Sequence, residues 1–429
     1  MRYLTTCLAL VGLVSSGCNV QPAEEQAPSQ AAKTAPRLRP EHPTDRTHLK
    51  PPPGRRARAA MRRDRRRGRR AGPPHGAPAG VLGQTFPSPA RAPEHVLAWD
   101  LDGDGKPEIV HAGFQGLWVT DIAGRTLARA RAQGHANVLV AGDPRGKDRG
   151  TFVVGWGFGR HARQGPARVV AYRYRAGRLT QELLLEQKSP KPLVSALAVG
   201  RYRGRPSVVA SIYVDKYNTQ LWQITPQGRG YQTTRLEQIR MANTLALGPV
   251  RRRGVNELVV ARVYGDRRGA PGDAFLWEGK GKRLPIPIRG GVRFVTTVDL
   301  NGDGVAEVLL ADGWSANYGR DARAQLTVGE FRKGAFKTRL LGTLPGEFMI
   351  QRIVPVDLNR DKRPDLVVLG NQSVSAFVHG AGRAWTLRRL GTARMALDVA
   401  VGSLDVDPRP ELLVTTRNDL RILRNVAAR

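Results

Sequence analysis

Seven short apolar runs, rich in β-branched residues and bounded by turn residues, recur along the chain. They lie at Ile109–Val110, Phe152–Val154, Val208–Ala210, Leu258–Val260, Val308–Leu310, Leu366–Leu369 and Leu412–Val414. Runs of this length and composition are typical of buried strands. The residue before each run returns at intervals of 43 to 58 residues, and a repeat of about 40 to 50 residues built from short strands is typical of propeller blades. The pattern predicts an all-β, seven-bladed β-propeller.

A second short strand precedes each of these runs, and further strands follow. The preceding segments contain many small residues, which suit the crowded centre of a propeller. They lie at Val96–Ala98, Val138–Val140, Ala196–Val199, Leu245–Leu247, Val295–Val298, Ile353–Val354 and Val399–Val401. The following strands are clearest in the fifth repeat, at Ala324–Phe331 and Phe336–Leu341. We therefore expect each blade to run from an inner strand through a loop to a second, third and fourth strand.

The seventh repeat is too short for four strands. After the expected third strand at Leu420–Leu423, only a few residues precede Arg429. We expect Val81–Phe86 to supply the missing strand. Such a strand would close the ring and remove an exposed sheet edge.

The loop between the first two strands carries a nine-residue acidic pattern in three repeats. Its oxygens stand at positions one, three, five and nine, with a backbone carbonyl at seven. Ca²⁺ binds about 6 to 8 such oxygens, and without a cation the acids repel one another by on the order of 1 kcal/mol per pair in water. We predict three calcium sites; the alternative is a solvated Asp-Gly turn. The sites are Asp100, Asp102, Asp104, Lys106 and Glu108; Asp299, Asn301, Asp303, Val305 and Glu307; and Asp357, Asn359, Asp361, Arg363 and Asp365.

The other four loops depart from this pattern. In the second, third and fourth repeats, basic residues such as Arg145, Arg203 and Arg251 replace most of the acids. We expect a positive side chain to take the place of the metal there. The seventh repeat is intermediate and forms a degenerate fourth site, at Ser403, Asp405, Asp407 and Glu411.

The acidic loops with their Leu-Val-Val tails resemble FG-GAP or VCBS repeats, as in the propeller of integrin α-chains. The resemblance covers residues 81–429. It implies a propeller with calcium in the loop that joins the first two strands of a blade. It implies no single function, because such repeats occur in adhesins, lectins and lyase accessory domains.

The first 17 residues are predicted to be a lipoprotein signal peptide. A basic start is followed by the apolar segment Leu4–Val14, which is too short to span a bilayer as a mature helix. Ser15-Ser16-Gly17-Cys18 resembles a bacterial lipobox, in which Cys18 receives lipid; ordinary secretion is the alternative. Cys7 and Cys18 are the only cysteines, so the mature chain would have no disulfide.

Residues 18–80 are predicted to be a disordered tether, because they are rich in Pro, Ala and Arg and nearly free of aromatics. The cationic run Arg62–Arg70 would be drawn to lipid phosphates or acidic glycans, unless it is only a solvated spacer.

The net charge is +33, of which +22 belongs to residues 81–429, and it favours acidic partners. Export and the lack of interleaved aromatics argue against nucleic acid.

The connections between second and third strands should lie on the face opposite the acidic loops. In the second to fifth repeats they are long and combine aromatic with polar residues, which suits carbohydrate or peptide recognition. The alternative is that the rings merely cover the blade tops. The candidates are Trp156, Phe158, Arg160, His161, Tyr213, Asp215, Tyr217, Tyr264, Asp266, Trp314, Asn317 and Tyr318.

Catalytic motifs are absent from the sequence, including the Gly-x-Ser-x-Gly elbow and the His-Glu-x-x-His metal motif. We therefore expect a non-enzymatic, monomeric binding or adhesion propeller, stabilised by calcium, that recognises an acidic glycan or another surface macromolecule. It would belong to the bacterial cell envelope, lipid-anchored to a membrane outside the cytoplasm or secreted. The alternative is a secreted polysaccharide lyase or hydrolase acting on anionic polysaccharide, with His161 as base.

Overall fold

The computed structural model describes residues 85–89, 93–159, 165–215, 217–265, 271–288, 290–312, 324–380, 384–393, 395–403, 410–417 and 419–424. Within these ranges the chain forms seven antiparallel sheets of four strands each. None of these residues forms a helix with the length and hydropathy that a bilayer crossing needs. The predicted signal peptide, the lipidated Cys18 and the tether lie outside the described residues.

The sheets follow one another along the chain as blades. The closing strand is β1 (Thr85–Phe86). Blade one contains β2 (His95–Trp99), β3 (Glu108–Gly113), β4 (Gly116–Thr120) and β5 (Thr126–Arg131). Blade two contains β6 (His135–Ala141), β7 (Thr151–Gly157), β8 (Ala167–Arg175) and β9 (Arg178–Gln187). Blade three contains β10 (Leu193–Tyr202), β11 (Arg205–Tyr213), β12 (Asn218–Gln227) and β13 (Gly230–Arg240).

The remaining blades have the same order. Blade four contains β14 (Ala242–Gly248), β15 (Glu257–Arg262), β16 (Ala274–Gly279) and β17 (Lys282–Ile286). Blade five contains β18 (Val292–Val298), β19 (Glu307–Asp312), β20 (Gln325–Arg332) and β21 (Ala335–Thr343). Blade six contains β22 (Ile350–Val356), β23 (Asp365–Gly370), β24 (Ser373–His379) and β25 (Trp385–Thr392). Blade seven contains β26 (Ala396–Gly402), β27 (Glu411–Thr416) and β28 (Leu420–Leu423), completed by β1.

The first strands form the inner ring. Each packs against the first strand of the next blade, and β26 packs against β2 to complete the circle. The second strands coincide with the apolar runs of the sequence, and β3, β7, β15, β23 and β27 are buried at every residue. Both faces of these strands are buried because a neighbouring blade covers each of them. The predicted seven-bladed propeller is confirmed.

The strand β1 closes the ring. Thr85 pairs with Arg421 and Phe86 with Leu420 of β28, which confirms the predicted closing strand for these two residues. The Phe86 ring is 2 % exposed and packs between blade seven and blade one, where Leu413 belongs to its cluster. The rest of the expected strand, residues 81–84, lies outside the described ranges.

The chain after β1 also contacts blade one. The hydroxyl of Ser88 lies 3.2 Å from Nδ1 of His111 on β3, and the other ring nitrogen of His111 lies 2.8 Å from the hydroxyl of Thr120 on β4. Burial lowers the pKa of His111 to about 3, so the ring is neutral near pH 7. A neutral, doubly hydrogen-bonded histidine thus holds the closing segment against the first blade.

Removing the Phe86 ring should open this junction. Phe86→Ala is expected to lower the free energy of unfolding by about 3 kcal/mol, since large-to-small changes of buried aromatics cost about 3 to 5 kcal/mol. Urea unfolding followed by intrinsic fluorescence measures the change. The matched control is Thr85→Ala on the same strand, where the side chain is exposed and a change within about 0.5 kcal/mol is expected. Equal effects of the two substitutions would contradict the closing role of Phe86.

Candidate functional site

The first acidic loop lies between β2 and β3 and turns sharply. Its first acid, Asp100, accepts hydrogen bonds from the backbone N–H groups of Gly103 at 2.8 Å and Gly105 at 3.1 Å. Both glycines have left-handed φ values of 84° and 87°, which cost glycine little. The turn brings one carboxylate oxygen each of Asp100, Asp102 and Glu108 within 4.8 Å of one another.

The acidic loops of blades five and six repeat these contacts. Asp299 accepts from the backbone N–H groups of Gly302 and Gly304 at 2.7 Å each. In blade six, Asp357 accepts from the N–H of Lys362 at 2.8 Å. Here Arg360 and Lys362 adopt φ values of 64° and 66°, a left-handed conformation that costs roughly 1–2 kcal/mol per non-glycine residue. The loop conformation is thus retained even where the glycines are missing.

The acid at position nine is buried at the base of each loop. Glu108 accepts from the N–H of Leu101 at 2.7 Å, and Glu307 accepts from the N–H of Leu300 at 2.8 Å. Burial, opposed by these bonds and reinforced by the neighbouring aspartates, raises the pKa of Glu108 and of Glu307 to about 7. The base of each loop therefore disfavours an uncompensated negative charge.

The three loops are not equivalent at this position. In blade one, a carboxylate oxygen of Glu108 belongs to the cluster with the aspartates. In blade five, the side-chain amide of Asn301 donates to Glu307 at 2.8 Å. In blade six, the second oxygen of Asp365 accepts from the backbone N–H of His379 at 2.7 Å. The geometry of loop one is therefore the most open to a cation.

Blade four contains an arginine in the corresponding place. The backbone N–H and Nε of Arg251, at loop position three, donate to Glu257 at 3.0 Å and 2.6 Å. The same guanidinium reaches Glu278 on β16 at 2.6 Å. Glu257 corresponds to Glu108, so the expected positive side chain is present beside the position-nine carboxylate of this blade.

Blades two and three use their basic residues differently. Arg145 donates to Glu182 at 3.0 Å and lies 4.6 Å from the ring centre of Tyr231 in blade three. In blade three the loop is a two-residue turn at Arg203 and Gly204, and Arg203 lies 5.4 Å from the ring centre of Trp277 in blade four. The expectation that these cations take the metal position is wrong, because they extend to the neighbouring blade instead.

The degenerate seventh loop is only partly described. Ser403 and Glu411 lie at its ends, whereas Asp405 and Asp407 fall outside the described residues. Nε of Arg424 lies 3.5 Å from a carboxylate oxygen of Glu411. A fourth calcium site in this loop stays a prediction.

The predicted ligand residues do not form one cluster within the described part of the chain. Trp156 lies inside β7 and is fully buried in the cluster that joins blades one and two. The assignment of Trp156 to an accessible connection is wrong, because β7 continues to Gly157 and its ring fills the space between two blades. Six candidates lie outside the described residues: Arg160, His161, Asp266, Trp314, Asn317 and Tyr318.

The other candidates have separate surroundings. Phe158 is half-buried, with Nζ of Lys191 5.8 Å from its ring centre. Tyr217 is exposed and lies against the guanidinium of Arg240 at 5.0 Å. Asp215 accepts from the backbone N–H groups of Tyr217 and Asn218 at 2.8 Å and 2.9 Å. It therefore stabilises its own turn.

Tyr213 and Tyr264 lie nearer the centre of the ring. The hydroxyl of Tyr213 accepts from the side-chain amide of Asn243 at 2.8 Å, and burial raises the pKa of Tyr213 to about 12. The pKa of Arg293 is lowered by desolvation, and the electrostatic influence of the two tyrosines opposes part of this shift.

A polar cavity of about 310 Å³ opens at the centre of this face. It lies where the first strands begin. The inner ring of first strands surrounds a central channel, and the cavity is at the end of this channel opposite the acidic loops. Tyr213 is the only residue among the described ligand candidates that lines it. The sequence analysis missed the other polar lining residues, although each occupies the same place near the start of an inner strand. They are Asn137, Ser195, Asn243, Arg293 and Gln351.

Comparisons with known proteins give only a distant structural likeness. No family model matches the chain, and no curated protein matches it. Among solved structures, BBS1N in complex with ARL6DN, soaked with lead, aligns with a TM-score of 0.49 and 11% identity over 80% of this chain and 97% of that chain. The complex soaked with mercury aligns with a TM-score of 0.49 and 12% identity over 81% and 95%. The seven-bladed architecture is established by the strand pairing of this chain itself.

Proposed function

We propose that this protein is a calcium-stabilised binding propeller of the FG-GAP or VCBS type that recognises an acidic glycan outside the cytoplasm. The observation that carries the proposal is the carboxylate cluster of Asp100, Asp102 and Glu108, whose oxygens lie within 4.8 Å of one another. In blade four the equivalent Glu257 has the guanidinium of Arg251 beside it. The same type of loop thus places a guanidinium beside its position-nine carboxylate in blade four and brings three carboxylates together in blade one.

The donor set of loop one fits a hard divalent cation. It offers the carboxylates of Asp100, Asp102, Asp104 and Glu108 and the backbone carbonyl of Lys106, and oxygen-only sets of this kind suit Ca²⁺. When bound, the ion supplies the positive charge that offsets repulsion between the carboxylates. The chain itself orients the ligands through the hydrogen bonds from Gly103 and Gly105 to Asp100. Calcium would therefore fix the connection between β2 and β3.

The ligand class is supported by charge. Residues 81–429 have a net charge of +22, and several arginines lie against aromatic rings on the surface, as Arg240 does against Tyr217. A rigid scaffold with this excess of positive charge attracts polyanions and raises their association rate. An acidic glycan outside the cytoplasm matches that charge and the predicted export.

Glu108→Gln tests the calcium proposal in loop one. The substitution keeps the size of the side chain and its acceptor for Leu101, but removes a carboxylate. A metal that binds only the folded state stabilises by about 2.7 kcal/mol at 100 times its Kd. The difference between the free energies of unfolding in calcium and in chelator should therefore shrink by about 2.7 kcal/mol in the variant. In chelator alone, the variant should equal or exceed the wild type in stability.

The matched control is Glu257→Gln in blade four. It removes the carboxylate that Arg251 contacts, so it should lower stability by about 1 to 3 kcal/mol to the same extent in calcium and in chelator. Urea unfolding in the two buffers measures both variants. If Glu108→Gln leaves the calcium-dependent difference as large as in the wild type, loop one does not bind the metal.

A glycan array tests the ligand class. The full-length protein in calcium should bind uronate-containing or sulfated polysaccharides and not their neutral counterparts, and raising the salt from 0.1 M to 1 M should weaken binding because the Debye length falls from about 10 Å to 3 Å. The protein should bind the polysaccharide without cleaving it, so the length of the bound polymer should stay the same. Release of unsaturated oligosaccharides that disappears in His161→Ala would instead show a lyase, and binding to neutral glycans alone would contradict the proposal.

The envelope location depends on Cys18. We propose that lipid attached to this residue anchors the mature protein to a membrane outside the cytoplasm. Cys18→Ser should move the protein from the membrane fraction to the soluble fraction after cell lysis, whereas Cys7→Ser, inside the predicted signal peptide, should leave it in the membrane fraction. Unchanged fractionation of Cys18→Ser would exclude the lipid anchor.

A further inference from the structure

The first strands of blades two to seven share one irregularity. In β6, β10, β14, β18, β22 and β26 the pairing with the second strand skips a single residue near the strand start. Such a bulge leaves the extra residue unpaired and re-aims its side chain. The skipped residues are Asn137, Ser195, Asn243, Arg293, Gln351 and Leu397. All six line the cavity at the centre of the ring.

Hydrogen bonds to the surrounding backbone hold these side chains in place. The amide of Gln351 donates to the carbonyl of Ala396 in the next blade at 2.8 Å, and the amide of Asn137 donates to the carbonyl of His135 at 3.0 Å. The hydroxyl of Ser195 donates to the carbonyl of Ala242 at 3.0 Å. The cavity lining is therefore preorganised, which lowers the entropic cost of binding a ligand.

Two acceptors remain available in this lining. The amide nitrogens of Asn137 and Gln351 are engaged, and within the described part of the chain their side-chain oxygens accept no hydrogen bond. The hydroxyl of Tyr213 already accepts from Asn243, so its proton is free to be donated, and the high pKa of about 12 keeps that proton in place at neutral pH. The cavity offers both donors and acceptors to a hydroxylated ligand.

Arg293 supplies the charge. Among the described residues, no carboxylate lies within ion-pair distance of its guanidinium, which stands in the cavity lining. Arg352, beside the neighbouring bulge, is different, because its Nε lies 3.3 Å from the buried carboxylate of Asp398. Arg293 is exposed at the second position of β18, so its guanidinium is accessible from the cavity and can bind a carboxylate through two parallel hydrogen bonds.

We propose that this cavity binds a single uronic acid residue, its carboxylate on Arg293 and Tyr213 and its hydroxyl groups on the amide oxygens of Asn137 and Gln351. A cavity of about 310 Å³ is at the lower end of the size range of ligand pockets, as a single sugar requires. Five of its ten lining residues carry amide or hydroxyl groups, which match a sugar better than an acidic peptide side chain. The site deepens the proposed acidic-glycan function and rests on it.

Calorimetric titration of the full-length protein with glucuronate, glucose and glutamate tests the site. Glucuronate should bind at least tenfold more tightly than glucose, which lacks the carboxylate, and than glutamate, which lacks the sugar hydroxyls. Arg293→Gln should weaken glucuronate binding at least tenfold. Its melting temperature should not fall, since the substitution removes an unpaired cation and leaves the packing around it.

Two further variants complete the experiment. Asn137→Asp keeps the size of the side chain and places a negative charge in the cavity, so it should also weaken glucuronate binding at least tenfold. Arg339→Gln removes an exposed arginine of β21 that lies 3.6 Å from Glu330 and away from the cavity lining, and it should leave the affinity unchanged. Glucuronate binding that is equal in the wild type and in Arg293→Gln would overturn the site.

The remaining outcomes separate this site from the proposed function. If the protein binds acidic polysaccharides on the array but not glucuronate in solution, the cavity is not the site and the proposed function stands. If it binds neither, both fail. If glutamate binds as tightly as glucuronate, the uronic acid assignment is overturned in favour of an acidic peptide.

Discussion

The fold depends on mutual burial of the blades. A second strand such as β7 or β15, apolar on both faces, is protected from water only because a blade lies on either side. The ring must therefore close, since an open end would expose one complete apolar face and the unpaired edge of β28. Closure by β1, with Phe86 packed between blades seven and one, removes both costs. This constraint also sets the function, because a closed ring places all the first loops on one face and the start of every inner strand on the other.

Arginine is the second organising element of this protein. Arg145 and Arg203 reach from the loop of one blade to an aromatic ring of the next, and Arg251 contacts the buried base of its own loop. These contacts stabilise the loop end of the ring in blades two to four. The charges of these three arginines are compensated by carboxylates or aromatic rings. Arg293 differs because it faces the channel.

The sequence predicts the strands and the acidic loops well because their patterns are local. Apolar runs mark strands such as β19 and β23. The spacing of Asp100 to Glu108 determines the turn, because backbone N–H groups within these nine residues donate to the Asp100 carboxylate. The closing strand could be predicted by counting strands in the seventh repeat. The local signal fails at Trp156, where an aromatic residue followed by glycines suggested an exposed connection although a neighbouring blade covers it.

The cavity lining could not be predicted for a related reason. A bulge is a property of the pairing between two strands, so the sequence Ala136-Asn137-Val138 does not show that Asn137 is skipped. The partners of Arg145 and Arg203 likewise depend on how one blade lies against the next. The repeat does contain a signal for the cavity lining. The residue in the same place near the start of six inner strands is polar in five of them.

Each inner strand joins the cavity end of the ring to the acidic-loop end. In blade five, β18 carries Arg293 near its beginning and is followed directly by the acidic residue Asp299. Six residues of extended chain at about 3.3 Å each place the two positions roughly 20 Å apart. A cation that fixes the loop after β18 would thus restrain the strand that presents the guanidinium.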